Sequence, residues 1–185
     1  VNRLLKNGVK VYRTPEGFNT ASGQEIKQLK IAVFQRYIRG NIEEGWTRLV
    51  LDKFGFSYST VMDFDVYEGL VGYDVLILPS DKSNELDGNP KVFETEWVGA
   101  QPDKYKSGLK EQGKAALKNY VEKGGTLLAF NESCDYVIDA LGLKVTNVLK
   151  NLPKEKFRAH GSILKVKLNK EHWLCYGMQE EANIV

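Results

Sequence analysis

Asp74-Val75-Leu76-Ile77-Leu78-Pro79 is the stretch whose reading decides the fold. Four successive aliphatic residues describe a strand buried on both faces, as in a parallel sheet covered by helices, and Pro79, which lacks an N–H for a ladder, breaks it. Upstream, the run Lys30-Ile31-Ala32-Val33-Phe34-Gln35 reads as a second buried strand. Between the two, apolar residues at Ile42, Trp46, Leu49, Val50 and Phe54 form the stripe of an amphipathic helix that Gly55 closes. Residues 58–62 read as a further strand, and Asp63 or Asp65 can cap a short helix ending near Leu70. Downstream, residues 109–123 resume helical spacing up to the pair Gly124-Gly125, and 126–130 supply a fourth strand. Residues 133–141 form a short helix before Gly142, 145–149 a fifth strand, and 163–168 an edge or hairpin strand alternating apolar residues with Lys. Strands alternating with helices predict an α/β fold with a mostly parallel, doubly wound sheet.

Composition bounds the rest. A chain of 185 residues, 42% hydrophobic and 27% charged, suffices for one compact domain with a sizeable core. No run reaches the roughly 18 to 20 apolar residues of a membrane helix, so no membrane insertion is expected. Lys and Arg number 26 against 24 Asp and Glu, a net charge of +2, too balanced for a dedicated nucleic-acid binder. Cys134, Cys175, His160 and His172 are too scattered for a zinc-ligand pattern, so no metal site is expected in this segment. The chain opens on Val1 without an initiator Met, and we read it as a piece of something longer. Oligomeric state is not legible.

In doubly wound sheets ligands gather beyond the carboxyl ends of the strands, which here selects the loops 35–41, 80–108 and 131–133. The corner Phe130-Asn131-Glu132-Ser133-Cys134 occupies the place of a nucleophile elbow, but its tip, Asn131, carries an amide that is no ordinary nucleophile. Ser133 or Asn131 is more simply a helix N-cap; a hydrolase would instead pair Ser133 or Cys134 with His160 or His172. Glu43 and Glu44 in a first helical turn suit the macrodipole, with Asn41 as cap and Trp46 in the core, better than acid/base work. Residues 81–108 are broken by Gly88, Pro90, Gly99, Pro102 and Gly108, and carry Phe93, Trp97 and Tyr105, a small core of the loop, a covered surface or a clamp for glycans or peptides. Residues 150–170 hold six Lys and Arg158 against Glu155, best read as a solvated face on an edge strand.

Several strings, in this order, carry a resemblance: Lys30-Ile31-Ala32-Val33-Phe34-Gln35, Glu43-Glu44-Gly45-Trp46-Thr47-Arg48, Tyr73-Asp74-Val75-Leu76-Ile77-Leu78-Pro79, Tyr120-Val121-Glu122-Lys123-Gly124-Gly125-Thr126-Leu127 and Gly161-Ser162-Ile163-Leu164. The chain resembles the auxiliary domain that follows the catalytic domain in some large zinc carboxypeptidases of the M14 family. The resemblance implies a flavodoxin-like, class I glutamine amidotransferase-like sandwich over 30–185, with 1–29 as a lead-in helix and strand. The glutaminase Cys of that superfamily falls on Asn131, and no His-x-Glu follows, so the elbow of Asn131, Glu132 and Ser133 is degenerate and no catalytic residue is expected. Zinc belongs to the parent's catalytic domain, the implied partner is that covalently linked peptidase domain, and such parents are often exported or periplasmic. Gln35, Arg36, Trp97, Tyr105, Asn131 and His172 are the binding candidates.

Overall fold

The structure is a computed structural model that describes residues 1–37, 40–88, 102, 105–106, 108–153, 155–159 and 161–184. Its centre is four parallel strands, β4 (Ile31–Phe34), β5 (Tyr58–Val61), β6 (Val75–Leu78) and β7 (Thr126–Ala129), in spatial order β5-β4-β6-β7. The pairing is in step across the sheet, Ala32 opposite Ser59 and Leu76, and Leu76 opposite Leu127. β4 and β6 are buried along their whole length, as their unbroken apolar sequences require.

Alternate residues of these strands feed two cores. Ala32, Phe34, Leu76 and Leu78 pack with Val66 and Leu70 in and after α3 (Asp63–Tyr67), Leu86 of α4 (Ser83–Leu86), Leu117 and Tyr120 of α5 (Lys110–Glu122), and Tyr136 and Val137 of α6 (Ser133–Leu141). On the opposite face Ile31, Val33, Val75 and Ile77 meet Leu51 of α2 (Ile42–Lys53). The result is an α/β domain whose parallel sheet is flanked by helices, compatible with a flavodoxin-like sandwich. Gly125 precedes β7 at a place where a Cβ would overlap the Tyr120 ring, so the tight exit from α5 demands glycine.

Ahead of this unit, α1 (Asn2–Lys6) precedes an antiparallel sheet of β1 (Val11–Thr14), β2 (Gly17–Asn19) and β3 (Gln24–Ile26), ordered β2-β1-β3. The lead-in thus holds three strands where one was expected. Near the far end β8 (Leu164–Lys167) pairs antiparallel with β9 (Glu181–Ile184), the expected hairpin, and a single 3-10 turn spans Trp173–Cys175. The tail reaches the lead-in through Tyr176, whose hydroxyl donates to Thr14 O at 3.1 Å while the Arg13 guanidinium covers its ring at 4.0 Å.

Two expectations need correction, and a third resolves between its alternatives. Residues 145–149 form no strand: a turn closes at Asn147, whose side chain accepts from Leu149 N and donates to Asp135, and Val148 is 79% exposed. Asp65, not Asp63, accepts the backbone N–H ahead of α3, at 2.7 Å from Met62 N, while buried Asp63 accepts from Gly108 N at 2.8 Å. Trp46 is not in the core but 59% exposed, and the whole stripe of α2 faces outward with it. Asn41 holds the start of α2 against the β6 loop, so Glu44 and Leu51 are the residues that turn toward the sheet. Glu44 is buried beside Arg48, whose Nε lies 2.8 Å from Glu44 Oε1 but out of line for a hydrogen bond.

Candidate functional site

Because β4 and β6 are neighbours while their following helices lie on opposite faces, the sheet has its switch point between them, and the loops leaving both strands meet at its carboxyl edge. Gln35 extends β4 by donating its N–H to Val61 O at 2.9 Å. Arg36, next in sequence, is mostly buried and its guanidinium bridges two carboxylates, Asp81 through Nε and Glu85 through NH2 at 3.0 Å. Asn41 caps α2 by accepting from Glu43 N at 2.9 Å, and its amide donates to Ser80 O at 3.0 Å and Asp81 Oδ2 at 3.3 Å. Asp81 is therefore the hub of this edge. It is only 5% exposed, and its loss of water, then the neighbouring Glu85, pushes its pKa up to about 6 against the pull of Arg36.

The third loop joins the same cluster. Asn131 takes a left-handed backbone, φ 47°, at the corner between β7 and α6, an unusual conformation for a non-glycine residue and one that Asn tolerates better than most. Its amide donates to Ser80 Oγ at 3.1 Å. Ser133 is fully buried, donates to Pro79 O at 2.6 Å and accepts from Asp81 N at 2.9 Å. Neither Asn131 nor Ser133 is the side-chain cap expected of it; Glu132 holds the cap position without a side-chain bond. Cys134 is exposed and its thiol contacts Ala129 O at 3.3 Å.

Of the six binding candidates, Gln35, Arg36 and Asn131 converge on this edge, and Tyr105 packs its ring against Tyr37 at 5.0 Å between centroids. His172 does not join them by any contact it makes: its Nδ1 accepts from Leu174 N at 3.3 Å and its ring stacks on Trp173, in the tail that packs on the lead-in. Trp97, Phe93 and His160 lie outside the described residues. Sequence reasoning missed Asp81, Glu85 and Ser80 as individuals, although it marked their loop. The one local signal was an Asp directly after a Pro-Ser strand end at the switch point.

Chemically the edge is a closed polar network more than an open reaction centre. The Ser133 proton is committed to a carbonyl, the corner presents a carboxamide, and both carboxylates share one guanidinium. Among the described residues no group of three His, Cys, Asp or Glu side chains could hold a metal ion, and no helix is long and apolar enough to cross a membrane. No family model, curated protein or solved structure matches the chain.

Proposed function

We propose that the chain is a non-catalytic, class I glutamine amidotransferase-like accessory domain of a zinc carboxypeptidase, packing on or shaping access to the peptidase domain through the loops at its carboxyl edge. The observation that carries this reading is the corner residue: Asn131 stands where an elbow would raise a nucleophile, in the left-handed backbone of a sharp corner, and its amide is turned onto Ser80. Order without a reactive atom suits a scaffold. The test is hydrolysis of glutamine and of chromogenic peptides by the chain, with and without zinc, together with calorimetric titration of an M14 catalytic domain. Binding without turnover supports the reading; turnover lost on replacing Asn131, Ser133 or His172 overturns it.

A ligand-binding module for glycans or peptides is the second reading, favoured by the Tyr37 and Tyr105 rings in contact at the same edge. Heat on titration with a glycan or peptide panel, abolished by Tyr105→Ala, would select it.

A further inference from the structure

The apolar stripe of α2 is exposed from end to end: Ile42, Trp46, Leu49, Val50 and Phe54 each show more than half their surface. Beside it, a groove of about 810 Å³ runs between α2 and β7, floored by Ile77 and Leu128 and walled by Trp46, Val50 and Phe130. Leu128 and Phe130 are themselves well exposed. A continuous apolar face of this kind marks an interface.

The order of residues along α2 says what kind of partner fits. At 100° per residue, Glu43 and Lys53 lie on the same exposed side as the stripe, Glu43 at its first turn and Lys53 at its last. Ile42 and Phe54, Trp46 and Val50, and Glu43 and Lys53 are each placed symmetrically about position 48. A two-fold axis at that level, with two α2 helices antiparallel, therefore brings Trp46 onto Val50 of the other copy, Ile42 onto Phe54, and Glu43 onto Lys53, twice over. Antiparallel helices also set opposite macrodipole ends together. With a parallel partner, like would face like.

We infer that the α2 stripe and its groove bind a second copy of this chain, forming an isologous dimer in which two antiparallel α2 helices lie between the two sheets. Each copy's α2 enters the other's groove and covers Ile77, Leu128 and Phe130. The polar ends fix register, and the central Trp46 and Val50 carry most of the affinity, as buried aromatic anchors do. The groove ends at Ser80 and Asn131 of the carboxyl edge, but the inference does not rest on the accessory-domain reading, and exchanges at Glu43 and Lys53 read the dimer alone.

Sedimentation velocity on the full chain over roughly 1 to 100 μM tests it, a range that brackets interfaces of micromolar affinity. A monomer–dimer equilibrium is expected. Trp46→Glu should weaken it by at least about 30-fold, the loss typical of a central anchor. Glu43→Lys and Lys53→Glu should each weaken it several-fold and the double exchange restore it, because the two charges then face each other again. This charge cycle leaves the apolar face intact, so it decides the matter even where Trp46→Glu disturbs folding. A chain that stays monomeric throughout the range, a dimer indifferent to Trp46→Glu in a folded protein, or a double exchange no tighter than the singles would overturn the inference.

Discussion

A carboxylate removed from water and set beside a second carboxylate keeps its proton to a higher pH than it does in an unfolded chain. Asp81, with its pKa raised from 3.8 to about 6, binds protons more readily folded than unfolded between those values. Stability from this group is therefore complete below about pH 3.8 and is lost as pH rises through 6. Urea unfolding at pH 5 and pH 7 should show the folded state gaining about 1 kcal/mol at the lower pH relative to Asp81→Asn, in which the titrating group is gone. An identical pH dependence in both proteins would mean that Arg36 holds the carboxylate ionised. Ser133→Ala acts on the same cluster without titration. It strips the donor from Pro79 O and the acceptor from Asp81 N, both buried, and should cost about 2 to 3 kcal/mol by denaturant midpoint at constant m.

Elements differ in how openly the sequence declares them. Strands β4 and β6 were legible because a strand covered on both faces is written in an unbroken run of apolar residues. Helix α2 was equally legible as a helix, down to its Asn41 cap, but the direction of its stripe was not. Periodicity reports that a helix has an apolar side, and leaves open whether a sheet of the same chain covers it. Residues 145–149 failed for a related reason: β-branched residues mark a strand only if an edge receives them, and Asn147 bonds its own backbone instead. The sharp corner at Asn131 was legible, whereas the Arg36–Asp81–Glu85 network was not, since Arg36 lies dozens of positions from both carboxylates and nothing local couples it to them. An element-scale prediction separates the two readings of 145–149. Val148→Asp should change stability by no more than about 0.5 kcal/mol, as at an exposed turn, whereas a paired strand beside β7 would lose several times that.

Across the whole molecule, the switch-point cluster ties together three loops that leave β4, β6 and β7, so the carboxyl edge should open as a unit. Hydrogen exchange should show the amides of Asp81, Lys82 and Cys134 protected to similar degrees, and Ser133→Ala should release them together. The contact between Tyr176 and the strand holding Arg13 and Thr14 works at longer range still. It joins segments 162 positions apart in the chain, with the Phe18 ring edge-on to the Tyr176 ring at the same place. One consequence can be read from a cut chain: a protease that acts within the exposed residues 143–153 would leave a tail tied to the lead-in through the Tyr176 ring, and Tyr176→Ala should hasten its release.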